Sequence, residues 1–453
     1  MSTNISAGER LDALETGSFH RRLLTLIGAG MFLDGFDVYM AGGVLGSMVK
    51  SGESTLALNA QFISATFAGM LLGAILAGFI GDRFGRRASY QTNLFLFGAA
   101  SLVAAFLPNM QALIGARFVM GVGLGAEIVV GYAMLTEFMP AHVRGRWLAM
   151  LGMLANAGLL GSALVGYFVI PTLGWRWMFG IAGVSALIVW YLRKAMPESP
   201  RWLESAGRQQ EADAVLRLIE QGSGGRRKQA TQSTRASVAA SLTAAQAKPT
   251  WDRLVLGIVI NVIVGTVLYG FVSWIPTFLI KSGASISSSL GYTVFMSLGG
   301  PAGAWLAYLS SDRFGRKKSV LFASLATIVF GIGFSFARSP AMTMIAGFCL
   351  YSAIYYLLSV SIATYVPELF GTKYRLRSVG LCSAFGRLAT VFSPYAIVFA
   401  FNTAGIQGVV TFLGLALVLL MLTVLFMGVE TRGVSLESVA VKSPSNLGAA
   451  AKI

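Results

Sequence analysis

Apolar residues fill this chain in runs of eighteen or more, broken by short polar stretches. Each run is long enough to cross a hydrocarbon layer of about 30 Å as a helix. The pattern predicts an all-α membrane protein with twelve spanning helices, at 22–47, 59–80, 88–107, 112–138, 147–170, 176–195, 254–280, 288–310, 319–337, 341–366, 378–400 and 407–429. A β-barrel would instead alternate polar and apolar residues in short segments. The twelve divide into a six-helix bundle over 1–196, a cytoplasmic linker over 197–252, a second six-helix bundle over 253–429 and a tail over 430–453. Within the linker, Ala212, Val215, Leu216 and Ile219 recur at helical spacing and predict a short amphipathic helix.

The polar punctuation is itself repeated. Gly81-Asp82-Arg83-Phe84-Gly85-Arg86-Arg87 returns 230 residues later as Ser311-Asp312-Arg313-Phe314-Gly315-Arg316-Lys317. Glu137, followed by Arg144 and Arg146, returns as Glu368, followed by Arg375 and Arg377. A parallel repeat of this length in an apolar chain predicts two pseudo-symmetric halves able to rock about a site between them, the architecture of a transporter.

Composition and charge sharpen this picture. Of the 453 residues 55% are hydrophobic and 12% charged, about half the charged share of a soluble domain. The net charge of +16 raises the question of nucleic acid, and its distribution answers it. On the twelve-helix frame, the termini and every second loop hold 29 of the 35 Lys and Arg, and the opposite side holds four. That bias places both termini in the cytoplasm and turns the basic surface to the lipid bilayer rather than to nucleic acid. Short outer loops suit a multi-pass protein of the inner (cytoplasmic) membrane. Cys349 and Cys382 fall inside helices and read as packing residues; no disulfide framework, metal cluster or phosphate-binding glycine loop is present, so no cofactor is expected and ATP is not the driving force. His20 and His142 are expected in solvent at the cytoplasmic edge.

Sorted by depth, five charged residues lie well inside the predicted spans: Asp34 and Asp37 in helix one, Arg117 and Glu127 in helix four, Arg387 in helix eleven. A charge at the bilayer centre costs roughly 2.5–3.5 kcal/mol on insertion scales, so such residues mark transport paths. None has a charged twin at the matching position of the repeat; Arg387 corresponds to Asn156. Asp34 and Asp37 share one side of helix one, where two carboxyls in a low dielectric do not both stay ionised, which makes them proton carriers. Arg117 shares a stripe with Gly121 and Gly125, and Asp37 is its expected counter-ion. Glu127 is open: a second proton site, a partner for Arg117 or Arg387, or a substrate contact.

The element Gly78-x-x-Gly81-Asp82-Arg83-x-Gly85-Arg86-Arg87 is similar to the loop signature of the major facilitator superfamily, and the chain resembles that superfamily along essentially its whole length. Pro197-Glu198-Ser199-Pro200-Arg201-Trp202-Leu203 and Glu430-Thr431-Arg432-Gly433 resemble its sugar-porter and organic-ion branch. Tyr308 stands where the second signature would begin with Gly, so helix packing is expected to be looser there. Phe32-Leu33-Asp34-Gly35-Phe36-Asp37 resembles the first-helix motif of aromatic-acid/proton symporters; Ser383-Ala384-Phe385-Gly386-Arg387 resembles helix eleven of organic-anion and niacin transporters. The resemblance implies proton coupling through Asp34, Asp37 and Arg117, and Glu127 joins them as a candidate from its depth in helix four. It also implies binding of an organic anion by Arg387 with Tyr269 and Trp274; Tyr351 and Tyr355 in helix ten add aromatic surface that favours a flat carboxylated substrate, and Asn156 is a candidate contact at the repeat position matching Arg387. The repeated loops, through Asp82, Arg83, Arg86, Glu137 and Arg144 and through Asp312, Arg313, Arg316, Glu368 and Arg375, are expected to act as conformational latches, with Asp82 and Asp312 near helix N-termini. The expectation is a monomeric proton-coupled symporter of a small organic metabolite. A sugar, polyol or organic-cation carrier of the same fold, and a non-transporting membrane sensor, are the alternatives.

Overall fold

A computed structural model describes residues 7–140, 143–222, 251–370 and 375–431; the backbone at these positions is helical apart from short connections. Among the described residues eight helices are individually long and apolar enough to cross a membrane, and the last of them, Arg377–Met427, holds two spans. Its helix breaks at Ala404 and at Gly405, whose φ of 61° is left-handed. Helix three (Arg86–Ala104), helix six (Arg176–Arg193) and helix eight (Ile286–Ser297 and Gly299–Phe314) complete the twelve predicted positions. Two further helices are interrupted. Helix seven runs over Trp251–Val272 and resumes at Ile275–Lys281. Helix ten passes from Pro340–Leu358 into a π turn at Ser359–Tyr365.

Local chemistry fixes the starts of these helices. Thr55 caps helix two (Leu56–Phe84) by accepting the Leu58 N–H at 3.2 Å, and Asn109 caps helix four (Met110–Phe138) by accepting that of Ala112 at 2.8 Å. Each side chain supplies an acceptor to an otherwise orphaned N–H group. Large apolar side chains such as Phe79, Phe168, Phe399 and Phe426 stand exposed on the spans, as a lipid-facing surface requires.

The chain divides into two compact units, Met1–Thr231 with Ser285–Leu290 and Gln232–Ala284 with Gly291–Ile453. In the first, helix one (Ser18–Ser51) packs along helix five (Arg144–Leu173), and helix two along helix four. Glycines set these approaches. A Cβ at Gly69, Gly73, Gly121 or Gly125 would meet a main-chain oxygen of the facing helix, at Phe118, Val122, Thr66 and Met70 respectively. A Cβ at Gly35 would meet the Ala155 oxygen of helix five. The second unit repeats the device at Gly299 and Gly303 of helix eight, which lie against Phe348 and Ser352 of helix ten. Past that approach, around Leu306, Ser310 and Tyr356, helices eight, nine (Arg316–Ser335) and ten enclose an apolar cleft of about 910 Å³.

The predicted amphipathic linker helix is present as Gln209–Gly222, with Ala212, Leu216 and Ile219 buried. A short N-terminal helix, Ala7–Asp12, gave no signal in the apolar pattern; it buries Ala7 and Leu11 in the same cluster and ties Arg10 to Asp213 at 2.5 Å and to Glu220 at 2.9 Å. His20 is not in solvent: it is fully buried, its Nδ1 accepts the Gly17 N–H at 3.2 Å, and its ring stands edge-on to Phe19. His142 lies outside the described residues.

Candidate functional site

Among the described residues two ion pairs occupy the interior of the first unit. Arg117, on helix four, donates to the Asp37 carboxylate, to the Asp37 main-chain oxygen at 3.0 Å and to the Thr66 hydroxyl at 2.8 Å. Its guanidinium also lies 5.0 Å from the centre of the Phe62 ring. Arg117 and Asp37 are 1% and 0% exposed. Arg117 therefore joins helix one, through Asp37, to the closely packed pair of helices two and four. The second Asp37 oxygen has no hydrogen-bond partner among the described residues. Asp34, three residues earlier, is buried with both carboxyl oxygens unpartnered.

The second pair corrects the sequence reading of Glu127. Its partner is neither Arg117 nor Arg387 but Arg193 of helix six, at 2.6 Å, and both residues are fully buried. Arg193 sits at the cytoplasmic end of its helix and counts with the basic loop residues on hydropathy grounds. Its side chain instead runs inward, donating to the main-chain oxygens of Leu26 and Ile27 and lying 4.0 Å from the Tyr90 ring centre.

In the second unit, helix seven approaches helix eleven where a Cβ at Gly386 would stand 3.0 Å from the main-chain oxygen of Asn261. Arg387, next to Gly386 on helix eleven, and Tyr269 on helix seven lie near enough to act on each other electrostatically. The other expected substrate contacts are placed differently. Trp274 is buried at the break in helix seven, stacked at 5.6 Å on Phe278, which stacks at 4.4 Å on Phe401. Tyr351 is buried and its hydroxyl donates to the Val272 oxygen at 3.4 Å; Tyr355 is buried as well. Asn156 is exposed on helix five of the first unit.

The repeated loops form two equivalent polar networks, each built from its own unit. In the first, Arg86 bridges Asp82 at 2.5 Å and Glu137 at 3.0 Å. Arg144, grouped with these by sequence, instead donates to Asp12 at 3.5 Å and to the Met139 oxygen. Arg83 lies over the Phe84 ring at 5.5 Å. The acid at the helix N-terminus is not Asp82, which closes helix two. It is Glu198, from the Pro197-Glu198-Ser199-Pro200 element: its carboxylate accepts the main-chain N–H groups of Arg86 and Arg87 at 3.0 and 3.1 Å. Glu430 does the same for Arg316 and Lys317 at 2.8 and 3.3 Å. Arg316 forms a fork with Glu368 at 3.1 Å on both arms, and the Thr431 hydroxyl donates to Glu368 at 2.6 Å. The signature glycine is needed twice in each loop. Gly85 and Gly315 adopt φ of 99° and 83°, and a Cβ on either would run into the capping glutamate. The side chains of Asp312 and Arg375 lie outside the described residues, and Arg313 is exposed at the rim of the apolar cleft.

Comparison with known proteins accords with this arrangement. Residues 23–442 match the family described as Sugar (and other) transporter. The inner membrane metabolite transport protein YdjE of Escherichia coli K12 is 36% identical, with 96% of this chain and 98% of that protein aligned. The niacin transporter NiaP of Acinetobacter baylyi is 32% identical over 95% and 99%. Among solved structures, the inward open conformation of the xylose transporter XylE from E. coli superposes with a TM-score of 0.75 at 21% identity, covering 93% and 99% of the two chains. That likeness shows the fold. A twelve-helix chain with paired loop networks and intramembrane ion pairs, matched along nearly its whole length, belongs to the Sugar (and other) transporter family of the major facilitator superfamily.

Proposed function

We propose that this transporter is a proton-coupled symporter that imports a small carboxylated, flat organic metabolite across the inner membrane by alternating access. The observation that carries the reading is the buried Asp37–Arg117 pair beside the unpartnered carboxyl of Asp34. Asp37 presents one oxygen to Arg117 and keeps one free to take a proton. Protonation removes the counter-charge but leaves Arg117 bonded to Thr66, so it loosens helix one from the helix two–helix four pair without dissolving that pair. A proton thereby acts on the relation between packed helices, as coupling demands. On the substrate side, Arg387 offers a permanently charged fork that suits carboxylate, and Tyr269 adds an aromatic face. The tight, buried packing of Trp274 and Tyr351 favours Tyr269 over them as the aromatic contact. The kinship with a niacin transporter, whose named substrate is a pyridine carboxylate, supports this substrate class. The loop networks brace each half as a rigid body during the conformational cycle.

The test is uptake by proteoliposomes under an imposed proton gradient, with niacin and other aromatic carboxylates as probes and xylose for contrast. Accumulation of a carboxylate by the wild type and its loss in Asp37→Asn, with counterflow retained, are expected. An Asp37→Asn protein that still accumulates substrate up the gradient ends the coupling reading. Xylose uptake, or unchanged anion affinity in Arg387→Ala, ends the carboxylate reading.

A further inference from the structure

The Glu127–Arg193 pair lies beside Asp34, and helix one is shaped to admit it. A Cβ at Gly30 would overlap both the Arg193 guanidinium and the Glu127 carboxylate. Asp34 follows one turn later, 3% exposed. The charges facing Asp34 are Glu127 from helix four, Arg193 from helix six and Asp37 from its own helix; the phenol of Tyr90, on helix three, lies under Arg193. Helix five packs along helix one at Gly35 and Phe36 and carries its charged residues, Arg144 and Arg146, at its cytoplasmic start. The second Glu127 oxygen, like both of Asp34, lacks a hydrogen-bond partner among the described residues.

Among the described residues, the carboxyls of Asp34, Asp37 and Glu127 and the guanidiniums of Arg117 and Arg193 therefore share the interior of this half. Arg117 balances Asp37 and Arg193 balances Glu127. A third ionised carboxylate would stand alone away from water, where a charge is costly unless paired and is neutralised instead. We propose that Asp34, Glu127 and Arg193 form one proton-binding site, separate from the Asp37–Arg117 pair, in which Glu127 holds Arg193 away from Asp34 and so leaves Asp34 as the carboxyl that carries the proton. Glu127 and Arg193 are positioning residues for that proton. The proposal rests on Asp34 being a proton carrier, and it has a consequence that a merely structural pair lacks. Neutralising Glu127 frees Arg193, a cation at every accessible pH, to pair with Asp34, which then releases its proton. A change at Glu127 thus removes a proton from a different residue.

Infrared difference spectroscopy of the purified protein in liposomes reads this without any substrate, through the carbonyl stretch of a buried protonated carboxyl at neutral pH. The band is expected in the wild type, absent from Asp34→Asn and from Glu127→Gln, and regained in the double variant Glu127→Gln/Arg193→Gln. Arg193→Gln alone leaves two carboxyls without a cation and should show a stronger band than the wild type. The double variant holds a neutral pair of similar size, so it keeps the test open should Glu127→Gln fold poorly. A band lost in Asp34→Asn but kept in Glu127→Gln overturns the shared site. A band that survives Asp34→Asn overturns the site and the role of Asp34 together. Failure of proton-driven uptake with the infrared pattern intact would instead sink the symport reading and leave this proton site standing.

Discussion

Removing the carboxylate of Asp37 tests how far the first unit depends on its buried pair with Arg117. In Asp37→Ala the Arg117 guanidinium keeps the Thr66 hydroxyl at 2.8 Å and the residue-37 main-chain oxygen at 3.0 Å, but loses its only described counter-charge. At 1% exposure, water does not replace it. Breaking a buried ion pair from one side costs about 3–5 kcal/mol, because the remaining charge keeps its desolvation penalty. For a unit of this size each kcal/mol moves the unfolding midpoint by roughly 2–4 °C, so Asp37→Ala should lower it by about 6–20 °C on the same scale. Asp37→Asn retains an acceptor for Arg117, worth about 1 kcal/mol, and should lose correspondingly less. Asp37→Ala/Arg117→Met removes both charges and should recover most of the loss, since an apolar replacement of a whole buried pair is often neutral. The assay is thermal unfolding of the detergent-solubilised protein followed by tryptophan fluorescence. An Asp37→Ala midpoint indistinguishable from the wild type, or a double variant less stable than the single, would refute the reasoning.

The glycine contacts between helices two and four give a second expectation: Gly73→Ala and Gly125→Ala force a methyl onto the main-chain oxygens of Val122 and Met70 and should cost about 1–3 kcal/mol of overpacking. Gly115→Ala on the same helix four meets open space and should stabilise by up to about 1 kcal/mol through helix propensity; unfolding midpoints separate the two. Glu198→Ala and Glu430→Ala remove the acceptors at the starts of helices three and nine and should cost about 0.5–2 kcal/mol each. Hydrogen exchange should accelerate at Arg86 and Arg87 for the first and at Arg316 and Lys317 for the second, with the glutamine variants nearer to wild type. Leu11→Ala empties a fully buried position at a cost of about 2–5 kcal/mol, enough to release the Ala7–Asp12 helix and expose residues 7–14 to limited proteolysis.

Hydropathy made the twelve helices legible because a membrane demands an apolar run for every crossing, and the boundaries moved by only a few residues. It could not show that helices seven, eight and ten are interrupted, since a break buried in protein leaves the apolar count unchanged. The Ala7–Asp12 helix was invisible for the opposite reason: six residues carry too short a period, and their apolar partners lie two hundred residues away on Gln209–Gly222. The repeat located the loop networks but named the wrong capping acid. Asp82 adjoins helix three in sequence, whereas Glu198 reaches its first N–H groups from 112 residues away, and no local rule joins the two.

The candidate site divides along the same line. Asp37 and Arg117 were legible as a pair because both lie deep within apolar runs, where an isolated charge is improbable and few partners exist. Arg193 is the last residue of its helix, and a count of charges by depth assigns a residue by its Cα position alone. A long arginine side chain reaches several ångströms in either direction, so a residue near the interface belongs to whichever environment holds its guanidinium. Here the main-chain oxygens of Leu26 and Ile27, the Glu127 carboxylate and the Tyr90 ring all lie inward. The one sequence trace of this choice is Gly30. It breaks the bulky face of helix one a turn before Asp34, at the position where a guanidinium has to pass. The duplicated scaffold has no counterpart to that notch, since the residue at the matching offset, Asn261, carries a side chain that packs against Gly386. The two halves thus share their loop networks and helix approaches. The Asp34, Glu127 and Arg193 cluster belongs to the first half because Gly30 makes room for it there and Asn261 fills the matching position.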